Sequence, residues 1–131
     1  MKFAIAVFSQ PHSAASRRAL RFAQAVIESG HSIELLFFAQ EGVHNANLNW
    51  LPPQDEININ QQWHNFITQH QLQAVLCISA ALRRGLLDSQ EAGRYQKKTA
   101  ITVNAPWQMG SLAQWHIAMQ QSDRSLCFKE D

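Results

Sequence analysis

The chain has 131 residues, 46% of them hydrophobic, with 11 Lys and Arg against 10 Asp and Glu for a formal charge of +1. That length fits one domain over 1–131, large enough to bury a core without disulfide or metal staples. The near-balanced charge, pI of about 7.9 and scattered basic residues exclude a basic stripe along a phosphate backbone, so no direct nucleic-acid binding is expected.

Residues 2–9, KFAIAVFS, form a β-branched and aromatic run of strand length, closed by a turn at Pro11. Lys2 ahead of an apolar run resembles the start of a secretory leader, but Ser9, Gln10, Pro11 and His12 interrupt it too early. No stretch approaches the roughly 20 apolar residues of a membrane span, so no membrane association is expected. Ser13 is placed to cap a helix whose Ala15, Ala19, Phe22, Ala23, Val26 and Ile27 follow helical spacing, with Gly30 at the C-cap.

HSIELLFFA, 31–39, is a second strand, and QEGVHNANLNWLPPQDEIN, 40–58, reads as a long polar loop of the kind that is functional or mobile. From about 59 to 70 a helical pattern places Trp63, Phe66 and Ile67 on one face, and LQAVLCIS returns as a third strand. Two short helices follow, AALRRGLLD and SQEAGRYQKK, then a fourth strand over TAITVNA, 99–105, stopped by Pro106. MGSLAQWHIAMQQ is a last amphipathic helix through Leu112, Trp115 and Met119, and DRSLCFKED closes the chain as a short strand. Strands alternating with helices predict an α/β fold: a mostly parallel five-stranded sheet with helices on both faces, three layers in all.

Cys77 lies near the end of the predicted strand LQAVLCIS, and two readings of it stand. Free cysteine is often only a small core residue. Ligand sites in open parallel sheets, however, lie at the carboxyl ends of strands, and the following SAALRR reads as a helix start whose free N–H groups favour a nearby anion. The amides of Ser79 to Ala81 are the candidate anion stabilisers, with Arg83 and Arg84 adding charge if they fold back. Both effects favour a thiolate, the reactive form. Cys77 and Arg83 also have the C-x5-R spacing of cysteine phosphatase loops, but the filler ISAAL has no glycine and favours helix, which counts against a phosphate cradle.

Cys127 stands among polar neighbours in a terminal strand, where packing or an edge position is the ordinary role. Two cysteines make no disulfide framework, and a reducing, cytoplasmic setting is expected. The six histidines (His12, His31, His44, His64, His70 and His116) show no zinc-ligand spacing, although loop residues His12 and His44 could approach one sheet edge. SQPHSAAS lacks the glycines of a nucleotide loop. Trp63 and Trp115 fit helix core faces, whereas Trp50 and Trp107 stand in loops beside prolines, as interface or partly buried residues do.

FAIAVF, FAQAVIESGH, LFFAQEGVHNAN and LCISAALRRGLLDSQEAGR together resemble the TusD/DsrE family of sulfur-relay proteins, from residue 3 to about 94, with weaker echoes in GSLAQ and SDRSLCF. The resemblance implies a flavodoxin-like domain that assembles with TusB- and TusC-like subunits (or their DsrF and DsrH counterparts) into a dimer of heterotrimers. It implies that Cys77 is the catalytic residue, taking sulfane sulfur as a persulfide from a TusA-like donor and passing it to a TusE/DsrC-like acceptor. In the Tus branch the relay ends in 2-thiouridine at the tRNA wobble position; in the Dsr branch it serves sulfur oxidation. Such exchange needs no cofactor and no metal. A non-catalytic scaffold subunit is the alternative from a different class. The stretch VNAPWQMGSLAQWHIAMQQ is bulkier than the family pattern, which bears on subunit contacts rather than on the nucleophile.

Overall fold

A computed structural model describes residues 1–130, so Asp131 of the predicted closing strand lies outside the described residues. The strands are β1 (Lys2–Val7), β2 (Ser32–Phe38), β3 (Ala74–Cys77), β4 (Trp107–Gly110) and β5 (Arg124–Phe128). The helices are α1 (Ala14–Glu28), α2 (Ile59–His70), α3 (Ile78–Arg83), α4 (Ser89–Arg94) and α5 (Leu112–Gln121), with a 3-10 helix, η1, over Gln40–Ala46. The sheet order is β4-β3-β2-β1-β5, and all four pairings are parallel. The expected α/β fold is therefore present.

The first helix starts and stops where its sequence indicates. Ser13 Oγ accepts from Ser16 N–H at 3.0 Å, and beyond the last turn Gly30 N–H returns to Ile27 C=O at 3.0 Å. Its small inner face, Ala15, Ala19 and Ala23, lets the helix lie close on the sheet. Phe3, Ile5, Val7, Leu36, Phe38 and Leu76 point to the same side and form one core with α1, α2 and the inner residues of α3. Trp63, fully buried on α2, meets Phe38 edge-on at 5.1 Å, and Phe38 meets Trp107 at 4.9 Å. Each such aromatic pair adds about 0.5–1.5 kcal/mol beyond the area it buries.

The opposite face carries Ala4, Ala6, Leu35, Phe37 and Val75, covered by Trp115 and Ala118 of α5. Alternation along the strands thus feeds two cores, which is why the strands read as nearly continuous apolar runs. Leu112, expected on the inner face of α5, is instead 64% exposed because it opens the helix.

Two elements differ from expectation. Residues 99–105 are not a strand. The N–H groups of Thr102 and Val103 go to Leu87 C=O, and Thr102 C=O accepts from Leu48 N–H, so this β-branched run spends its backbone bonds on loops. The fourth strand begins only after the cis Ala105–Pro106 bond, at Trp107. The polar segment 40–58 is also not all loop: η1 occupies its first part. Gly42 in η1 lies so close to the end of β1 that a Cβ there would collide with Val7 C=O, so only glycine allows this approach.

Candidate active site

Cys77 is the last residue of β3 and the N-cap of α3. The helices after β1, β2 and β3 return on one face, whereas the chain leaving β4 crosses to the other face through α5. β3 and β4 are neighbours, with Cys77 opposite Gly110, so the carboxyl ends of these two strands are where the chain's direction of winding reverses. Crevices of this type are the ligand positions of open α/β sheets. Cys77 is partly buried and packs against both cores, at the seam where they meet.

Ser79 Oγ stands 3.4 Å from Cys77 Sγ, placed to donate its hydroxyl to a sulfur anion. With Cys77 as N-cap, its own C=O takes the first intrahelical bond, and the free amides are those of Ile78, Ser79 and Ala80, one residue earlier than the expected Ser79–Ala81. The C-x5-R spacing forms no cradle, because residues 78–83 are helical and Arg83 ends exposed at the far end of α3. Arg84 does not fold back either. Its Nε donates to Glu41 Oε1 at 2.8 Å and its terminal nitrogen to Ala80 C=O at 3.1 Å, tying α3 to η1.

Asn45, part of the stretch LFFAQEGVHNAN but given no role by its sequence context, holds η1 in place. Fully buried, it donates to Ser9 C=O at 3.1 Å and Gly42 C=O at 2.9 Å, and accepts from Ser16 Oγ at 2.9 Å. One amide thereby joins the end of β1, the start of α1 and η1, with every hydrogen-bonding direction it needs in use. Next to it, His44 lies 4.8 Å from the Trp50 ring, and the His12 ring lies 6.2 Å from the same indole. His12 and His44, the latter in η1 rather than in a loop, thus share one neighbour, the Trp50 indole. Burial holds the His44 imidazole below its ordinary pKa; the Glu41 carboxylate opposes this and Arg84 reinforces it.

Cys127 lies exposed on edge strand β5, opposite Ala6. Desolvation of its thiolate pushes its pKa up, with Lys129 partly offsetting. Trp115 and Trp63 are core residues as expected, and Trp107 is buried at the start of β4 rather than placed in a loop. Within residues 41–50, Glu41 reaches α3 through Arg84, while Asn45–Leu48 and Trp50 line a cavity of about 230 Å³ that does not include Cys77. Among the described residues no group of three or more His, Cys, Asp or Glu is placed to hold a metal ion. No helix among them is long and apolar enough to cross a membrane.

Comparison with known proteins bears on this arrangement. A protein from Pseudomonas aeruginosa named sulfurtransferase TusD homolog is 49% identical over 131 residues, covering 100% of this chain and 99% of that one. A second protein of that name, from Aliivibrio fischeri, is 40% identical over 116 residues, 88% of each chain. Sulfurtransferase TusD of Salmonella enteritidis is 40% identical over 101 residues, 76% of this chain and 79% of its own. The crystal structure of the ychN protein from E. coli superposes with a TM-score of 0.73 at 20% identity, covering 97% of both chains, which shows the shared fold. The model of the DsrE/DsrF-like family matches residues 1–128, and the chain belongs to that family, with proteins named TusD and a putative sulfurtransferase DsrE of Allochromatium vinosum, 37% identical over 129 residues and 98% of each chain, among its relatives.

Proposed function

We propose that this protein is a sulfur-relay sulfurtransferase in which Cys77 carries sulfane sulfur as a persulfide. The observation that carries the reading is the position of Cys77: the end of β3 at the winding reversal, partly buried, with the Ser79 hydroxyl 3.4 Å from its sulfur. The names of the relatives, sulfurtransferase TusD and its homologs, support the same class of reaction.

The chemistry is two exchanges. The Cys77 thiolate attacks the outer sulfur of a donor persulfide, a new S–S bond forms at Cys77, and the donor's S–S bond breaks with release of the donor thiolate. An acceptor thiolate then attacks the outer sulfur on Cys77, and the Cys77 thiolate leaves. The sulfane sulfur keeps its oxidation level, so neither electrons nor a cofactor enter. Ser79 Oγ–H and the free amides at the start of α3 are the groups placed to steady the anion at each stage. By the family resemblance, the donor is TusA-like, the acceptor TusE/DsrC-like, the companions TusB- and TusC-like subunits, the compartment the cytoplasm and the end product tRNA 2-thiouridine.

The test is intact-mass measurement after incubation with a persulfide donor. The wild-type chain and Cys127→Ser gain one sulfur atom, and Cys77→Ser gains none. Loading that survives in Cys77→Ser and vanishes in Cys127→Ser overturns the assignment.

A further inference from the structure

Away from Cys77, the cavity of about 230 Å³ lies between the loop after η1, the start of α2 and the turn before β4. Its walls combine the carboxamides of Asn58, Asn60, Gln61 and Asn104 with the indoles of Trp50 and Trp107; His64 is the one titratable side chain in the lining, and no Lys, Arg, Asp or Glu is there. Asn60 donates to His44 C=O at 2.8 Å and Asn47 C=O at 3.0 Å, which fixes the amide's orientation. Its Oδ1 is left buried without a partner, an unmet acceptor in the cavity wall. The surface beside the cavity is apolar: Leu51 is 72% exposed, Leu48 48%, and Ile57, next to Asn58, 64%.

We propose that this cavity docks an uncharged segment of a partner polypeptide, an apolar side chain entering against the indoles of the wall while the carboxamides hydrogen-bond the segment's peptide groups. The wall selects for this class. Carboxamides pair with peptide N–H and C=O groups without demanding charge, and a phosphate or carboxylate would lose hydration with no Lys or Arg to meet it. The exposed leucines and isoleucine give such a segment apolar surface to cover, which a nucleic acid would not. Reaching Asn60 Oδ1 takes a side-chain adjustment of the kind common on association. The volume holds about eight water-sized volumes, enough for one residue and its flanking peptide groups rather than a helix.

The experiment titrates N-acetyl-L-leucinamide, a neutral peptide mimic, into the 15N-labelled full chain. Saturable shifts are expected at the Trp50 and Trp107 indole N–H signals and at the Asn58, Asn60 and Asn104 side-chain amides, with a dissociation constant on the order of millimolar for so small a probe. N-acetyl-L-leucine, which carries a carboxylate, is expected to bind at least about tenfold more weakly. The double variant Gln61→Ala, Asn104→Ala is expected to weaken the amide by about tenfold as well. Cys77→Ser keeps the response, so this proposal and the persulfide reading fail separately. No saturable shift, equal binding of the carboxylate, or a preference for uridine over the amide overturns the proposal, the last by making the cavity a nucleobase site.

Discussion

Cys77 and Cys127 are both free thiols in one parallel sheet, with two strands between them. The surroundings of the two have little else in common. Cys77 ends its strand, caps a helix, touches both cores and has a hydroxyl within reach of its sulfur. Cys127 lies on the outer strand with Lys129 as its charged neighbour, and desolvation disfavours its thiolate. The same side chain thus becomes a candidate carrier or a bystander according to where the winding of the sheet reverses, because that is where a sulfur gains partners without being sealed in.

The largest expected effect tests this contrast directly. Cys77→Ser is expected to lower single-turnover sulfur transfer from a persulfide donor by at least about 1,000-fold, and Cys127→Ser by no more than about twofold. Comparable losses in both variants would break the comparison. The next effect concerns the seat beneath the site. Asn45→Ala leaves two carbonyls and the Ser16 hydroxyl without their partner, and urea unfolding is expected to show a loss of about 2–4 kcal/mol. A loss below about 1 kcal/mol would show that η1 is held otherwise.

A subtler prediction concerns the bystander. A raised pKa means that Cys127 stays a neutral thiol to higher pH, so in Cys77→Ser its alkylation by iodoacetamide should be slower at pH 8 than that of N-acetylcysteinamide, an uncharged blocked cysteine, approaching it only as pH rises. Lys129→Ala should slow it further, because that cation is what lowers the pKa. Faster alkylation than the free thiol would remove the distinction drawn between the two sites. The smallest effect is at the tie between α3 and η1. Glu41 is half exposed, so a double-mutant cycle with Arg84→Ala and Glu41→Gln should give a coupling of only about 0.2–1 kcal/mol. A larger value would make this ion pair a principal support of the site.

Much of this arrangement is legible in the chain itself. The strands β1, β2 and β3 and the helices α1 and α2 announce themselves by runs and periods long enough to outweigh local noise, and Cys77 is legible as near a strand end, although β3 stops two residues before the expected Ser79 because Ile78 and Ser79 already belong to α3. Residues 99–105 mislead because a β-branched run signals extended backbone without saying which partner it bonds; here the partners are Leu87 and Leu48. β4 is hidden by its brevity and by Gly110, which resembles the approach to a helix. The winding reversal depends on which face α5 covers, and the role of Asn45 on contacts 29 and 36 residues away, so neither has a local signature. The exposed position of Leu112 has the same origin, since spacing gives a helix its inner face but not where that face begins.

Cys77 ends a strand and begins a helix with no residue between them. Its backbone is fixed from both sides, so the only motion left to the sulfur is rotation about its own side chain, which sweeps a few ångströms. A carrier built this way cannot swing its cargo from one protein to another. On the proposed chemistry, donor and acceptor must take turns at a single berth, which imposes ping-pong kinetics: the acceptor becomes a competitive inhibitor of loading, and throughput is set by how quickly one visitor vacates for the next.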